Sequence, residues 1–286
     1  MIEGISREII KRLGLHIFVE TGTDMGETVA EVAGWFSEMN PAFGKISDYV
    51  TTGARYYSLD SKPIRYPVFQ NAGESLFNIF TVDIDSHSYE NAKKLFNTNK
   101  NIKVFQDNSA EFLQKFIDNK VFKGEDTIFF LDAHWGKYWP LRDELKQILK
   151  LEKFVVVIDD FFVPGQSNRR KPHGNFGFDF YQGRILCWGY INDLFANTGV
   201  ELYYPNRANQ YNRGFVLLFK GYSSQELDFL KGAQAERIDM DDPLHKNSVS
   251  LSPLAYIEPH FLMRTLVPMS LLRSGVRLFQ KMTYKK

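Results

Sequence analysis

Five short apolar runs, alternating with stretches of helical spacing and each closing on polar side chains, constrain this chain more than any other feature. The runs are residues 16–20, 76–82, 101–105, 127–131 and 154–158. The helical stretches are 27–39, 86–97, 110–119 and 141–151, with a short one at 3–13 that puts Ile5, Ile9, Ile10 and Leu13 on one face. Brief apolar runs without a polar alternation are strands covered on both faces, the mark of a parallel sheet. Alternation of such strands with helices predicts βαβ units and an α/β fold. Residues 186–197 read as a further helix, and 200–204 with 214–220 flank a polar turn and read as an antiparallel hairpin at a sheet edge.

Two segments interrupt the pattern. Residues 40–78 contain Pro41, Gly44, Gly53, Pro63, Pro67 and Gly73, which break any long element, yet also Tyr49, Tyr56, Tyr57, Tyr66 and Phe69. That is an insertion with its own packing, laid on the domain, and a connection of this length is usually functional or structured. Residues 162–182 read as loop, with a basic stretch at 168–173 that either stays solvated or grips an acidic substrate.

Ligands of open α/β sheets bind beyond the carboxyl ends of the strands. Here those ends carry Glu20, Asp83, Asp107 with Ser109, Asp132 with His134, and the pair Asp159–Asp160, which together form one acidic rim. After the first run come Gly22, Thr23, Asp24 and Gly26, a turn that opens a helix. Its glycines allow backbone to approach a ligand, and helix N-terminal amides face it. A dinucleotide site asks for GxGxxG at this place. The sequence has Gly-Thr-Asp-Met-Gly instead, flanked by acids that would repel a pyrophosphate and suit a ligand with a cationic amino group. Asp83 is placed to accept two ribose hydroxyls, Asp107 and Ser109 to meet the amino edge of a base, and Ser109 alternatively to cap the next helix.

The segments 18–23, 82–85, 130–135 and 157–161, in this order and spacing, resemble those of class I S-adenosylmethionine-dependent methyltransferases. Within that superfamily the pattern is similar to metal-dependent O-methyltransferases of the catechol and macrolide-sugar types, over roughly residues 15–220. Asp24 stands where the family's ExGxGxG turn has its second glycine, and Gly26 is the third. The resemblance implies a Rossmann-like, mostly parallel seven-stranded sheet, helices on both faces and an antiparallel strand near the C-terminal end. It implies S-adenosylmethionine held by Glu20, Gly22, Thr23, Gly26, Asp83, Asp107, Ser109 and Asp132. It also implies a divalent metal, Mg²⁺, on Asp132, Asp159 and Asp160, where oxygen-only ligands would suit that ion. The metal would lower the pKa of the hydroxyl to be methylated. His134 is the first candidate for general base and Lys137 the second.

The expected activity is methyl transfer to a hydroxyl of a small molecule or a glycan. The alternatives are a non-catalytic binding protein on the same fold and a dinucleotide-dependent oxidoreductase. The net charge of +1 over 286 residues argues against a nucleic-acid partner. One cysteine, Cys187, excludes an internal disulfide and fits a cytoplasmic location. No apolar run reaches a membrane-spanning length, and the first twenty residues lack the pattern of a signal peptide. The methyltransferase domain is expected over 1–240. The tail 241–286 follows, and within it 259–286 holds six basic residues and no acid. Interleaved apolar residues there suit either an anionic membrane surface or docking on the domain or on a second copy of the chain in a homo-oligomer.

Overall fold

The computed structural model describes residues 3–52, 64–70, 72–134, 138–163, 178–181, 184–208, 213–232 and 235–237. Its first helix, α1, is Glu3–Leu13, and strand β1 is Ile17–Thr21. Helix α2, Glu27–Met39, follows the glycine turn. The insertion forms β2, Lys45–Thr52, and β3, Ile64–Gln70. Then come β4, Asn78–Asp83, α3, Ser86–Leu95, β5, Ile102–Gln106, and α4, Ser109–Asp118. Strand β6, Thr127–Leu131, α5, Leu141–Ile148, and β7, Phe154–Ile158, complete the alternating part. Two-residue strands β8, Phe180–Tyr181, and β9, Arg184–Ile185, precede α6, Trp188–Ile191. The described chain ends with β10, Glu201–Pro205, β11, Val216–Lys220, α7, Phe229–Gly232, and β12, Ala235–Arg237.

The main sheet has the order β12-β10-β11-β7-β6-β1-β4-β5. Strands β5, β4, β1, β6 and β7 pair in parallel, and β11 runs antiparallel to β7. The parallel sheet with an antiparallel strand near the C-terminal end is as expected. The sheet has eight strands where seven were expected, because β12 adds a three-residue edge against β10. Residues 186–197 do not make one helix. The single turn of α6 gives way to a 3-10 turn at Asn192–Leu194, since Asn and Asp compete for backbone hydrogen bonds and favour turns.

Successive residues of β1 face opposite sides of the sheet. Phe18 packs with Val29, Phe36 and Ile79 on the α1–α2 side, and Val19 with Phe112, Leu113 and Leu145 on the α4–α5 side. Helices therefore cover both faces. The insertion packs on the domain as expected: Phe43, Tyr66 and Phe69 are buried in the α2-side core. Tyr66 Oη donates to the carbonyl of Met25 at 2.6 Å, so the insertion braces the glycine turn from behind.

The chain runs outward from β1 to β4 and β5, then returns to lay β6 and β7 on the other side of β1. Strand order thus reverses between β1 and β6, and the crevice at their carboxyl ends is where an open α/β sheet binds its ligand. Among the described residues no helix is long and apolar enough to cross a membrane.

Candidate active site at the carboxyl edge of the sheet

The hydrogen-bond ladder continues one step past the strand ends. Gly22 N donates to Val82 O at 3.0 Å, Asp132 N to Thr21 O at 3.1 Å, Asp107 N to Asp83 O at 3.2 Å and Asp159 N to Leu131 O at 3.2 Å. These bonds place Gly22, Asp83, Asp107, Asp132 and Asp159 along one row, across the point where strand order reverses.

The glycine turn is built for close approach. Gly22 has φ of +85°, and a Cβ there would lie 2.8 Å from the carbonyl oxygen of Asp132. Gly26, also left-handed at φ +74°, opens α2 and has the Phe96 ring where a side chain would go. Asp24 keeps a left-handed backbone, φ +44°, at the position of the family's second glycine. Aspartate tolerates that region better than most residues. Its N–H donates to Asp83 Oδ2 at 2.9 Å, while Asp85 N donates to Asp83 Oδ1 at 2.8 Å. Asp83 therefore ties the turn to β4, with one lone pair left on each oxygen for a ligand. Burial pushes its carboxyl up.

Glu20 and Thr23 point inward. Thr81 Oγ1 donates to Glu20 Oε2 at 2.7 Å and lies 2.6 Å from Thr23 Oγ1. Glu20 is only 2% exposed. Burial raises its carboxyl to about 8, against the lowering effect of the Thr81 and Thr28 hydroxyls. Asp107 is half-buried and paired with Lys115 at 3.0 Å. Ser109 is not the cap of α4. Asn108 is, accepting from Ala110 N and Glu111 N, and the Ser109 hydroxyl is buried without an ordinary hydrogen bond.

On the other side of the crevice, Asp132, His134, Trp139, Glu144, Asp159 and Asp179 are among the residues lining a small cleft. Burial, together with the carboxylates of Asp159, Asp160, Asp179 and Glu20, pushes the Asp132 carboxyl well above the ordinary range. His134 Nε2 lies 3.6 Å from Asp179 Oδ2, with the imidazole half-exposed. Glu144 is fully buried, and neither carboxyl oxygen makes an ordinary hydrogen bond. Burial raises it to about 7, opposed by the Ser109 and Thr21 hydroxyls that face it.

The expected metal set of Asp132, Asp159 and Asp160 is not formed. Among the described residues no three His, Cys, Asp or Glu side chains gather to hold one ion. Asp160 instead faces Arg213, with Nε 2.7 Å from Oδ1 and Nη2 2.8 Å from Oδ2. The guanidinium sets a fixed positive charge against both oxygens of Asp160, which opposes a Mg²⁺ shared with Asp132 and Asp159.

Sequence reasoning missed Asp179, Arg213 and Glu144. Nothing local marks the first two. Glu144 had a signal: it stands on the apolar stripe of α5 with Leu141, Leu145 and Ile148. Lys137, the second base candidate, lies outside the described residues, as do 168–173 and 259–286.

No family model matches the chain, and no curated protein matches it. Solved structures do. An O-methyltransferase from Bacillus cereus in complex with SAH is 15% identical, with 76% of this chain and 79% of that chain covered and a TM-score of 0.46. The O-methyltransferase TomG from Streptomyces achromogenes, involved in tomaymycin synthesis and in complex with SAM, is 14% identical, with 76% and 78% covered and a TM-score of 0.46. An rRNA methylase from Streptococcus thermophilus is 14% identical, with 77% and 97% covered and a TM-score of 0.38. Likeness of this order carries no activity over to this chain.

Proposed function

We propose that this chain is an S-adenosylmethionine-dependent methyltransferase that methylates a hydroxyl of a small molecule or glycan. One observation supports the reading above others: Gly22, Asp83, Asp107 and Asp132 form a single row across the reversal of strand order, next to the left-handed turn that opens α2. The donor set fits this cofactor. Asp83 keeps acceptor capacity for vicinal ribose hydroxyls, Asp107 stands one strand further out for the base, and Glu20 and Asp132 are carboxyls whose ionised forms an arriving ammonium and sulfonium would favour.

The bound cofactor would supply an electrophilic methyl group on a cationic sulfur. The protein then has to position and to move one proton. Gly22 and Gly26 let the turn pack against the Asp132 carbonyl and the Phe96 ring, and the first amides of α2 face the ligand. The cleft between β6 and β7 orients the acceptor oxygen, and fixing nucleophile and methyl in near-attack geometry provides much of the acceleration. His134 takes the acceptor's proton, and Asp179 stabilises the imidazolium that results. No step passes through a metal.

Calorimetry with S-adenosylhomocysteine and with NAD tests the reading. Wild type is expected to bind the former, and Asp83→Asn to weaken it about tenfold or more, the scale of a lost charged hydrogen bond. Binding of NAD alone would refute the proposal and favour an oxidoreductase.

A further inference from the structure

Four carboxylates, Asp132, Asp159, Asp160 and Asp179, line one cleft. Like charges gathered in one cleft repel one another, and a cation among them relieves that repulsion. The structure supplies one from the chain itself. Arg213 lies just before β11, and β11 pairs with β7 so that Val216 opposes Ile158. Phe161 N donates to Gly214 O at 2.9 Å, which extends this pairing past the strands and brings Arg213 level with Asp160.

The guanidinium makes a fork on Asp160 and also reaches Asp179, with Nη2 2.8 Å from Oδ1. The two acids are joined besides by Asp179 N donating to Asp160 O at 2.7 Å. Asp160 has a left-handed backbone, φ +54°. The other oxygen of Asp179, Oδ2, is the one 3.6 Å from His134. One cation thus holds the strand-end acid and the acid beside the imidazole.

We propose that Arg213 is, among the described residues, the resident cation of this cleft, a positioning residue that neutralises Asp160 and Asp179 in place of a divalent metal and holds Asp179 against His134. A guanidinium cannot lose its proton in a protein and cannot be removed by a chelator. It also repels a second cation, so Arg213 and a metal compete for the same carboxylates. The inference rests on the location of the cleft and not on the identity of the methyl donor, and metal uptake reads it out separately.

The test is a Mn²⁺ titration of EDTA-dialysed full-length protein, followed by the electron paramagnetic resonance of free Mn²⁺. Wild type is expected to take up no Mn²⁺ at millimolar concentration. Its thermal midpoint should not move with EDTA or Mn²⁺. Arg213→Gln removes the cation and is expected to gain one Mn²⁺ per chain. Its affinity should rise at least about tenfold over wild type, equal to one pKa unit of electrostatic interaction. The double variant Arg213→Gln with Asp160→Asn should lose that gain. One Mn²⁺ bound per wild-type chain and displaced by Mg²⁺ overturns the proposal. So does a folded Arg213→Gln protein, by circular dichroism, that takes up none. If Arg213→Gln does not fold, the wild-type titration decides alone, because uptake refutes the proposal and its absence, with an unmoved midpoint, upholds it.

Discussion

Glu20 shows how a single buried acid sets the chemistry of the row. Raised to about 8, it is mostly protonated at neutral pH in the free protein. An arriving ammonium favours its ionised form, so binding should release a proton. Titration of S-adenosylmethionine at pH 7 in buffers of different ionisation enthalpy is expected to show that release, and Glu20→Gln to abolish it. Identical wild-type enthalpies in every buffer would count against Glu20 as the partner of the amino group. Asp24 sets a different condition at the same turn. Its left-handed backbone suits glycine, so Asp24→Gly should leave folding and S-adenosylhomocysteine binding near wild type. Asp24→Val should cost about 1–2 kcal/mol, the penalty of a branched residue in that region. Urea denaturation of both variants checks this, and an unaffected valine variant would mean the turn adopts another conformation in solution.

Among elements, the junction of β1 with β6 is the most exacting. A methyl on Gly22 would meet the Asp132 carbonyl at 2.8 Å and would also occupy a strained backbone, φ +85°. Gly22→Ala is therefore expected to push the end of β6 away and to abolish S-adenosylhomocysteine binding in calorimetry, with at least about 1–2 kcal/mol lost from stability. Retained binding would show that the two strand ends are free to separate. The opposite face of the sheet tolerates no such room either. Phe112 of α4 packs, with tilted rings, among Phe105, Phe116 and Phe122 at centroid distances of 4.6–5.9 Å. Phe112→Ala should cost about 3–5 kcal/mol, the range for truncating a buried aromatic. The effect should appear as a lower urea midpoint, and a drop under 1 kcal/mol, roughly what one methylene contributes, would mean the helix repacks.

For the whole molecule, the buried acids govern how stability follows pH. Glu20 at about 8 and Glu144 at about 7 both hold protons more tightly when folded than when unfolded, where a glutamate titrates near 4.5. Between those values the unfolded chain has released its proton and the folded one has not. Their contribution is therefore complete below pH 4.5 and is lost as pH rises toward 7 and 8, by about 1.4 kcal/mol per pH unit and group. The ligand-free protein should unfold at lower urea concentration at pH 8 than at pH 5, and Glu144→Gln should flatten the decline. A wild-type midpoint that rises over that interval would contradict the burial of both carboxyls.

The sequence by itself determined the strands, the turn and the rim of acids. Burial on both faces demands uninterrupted apolar residues, a reversal into α2 demands glycine, and both are local requirements that leave local marks. Even Asp24 in place of a glycine reads correctly once its left-handed backbone is seen. Only the tertiary structure decided which acids work together. Ion pairs such as Arg213 with Asp160, 53 residues apart, depend on where β11 docks against β7, and no spacing along the chain encodes that. The same docking turned an expected metal ligand into a salt-bridge partner, because a carboxylate answers to whichever cation the fold brings within reach.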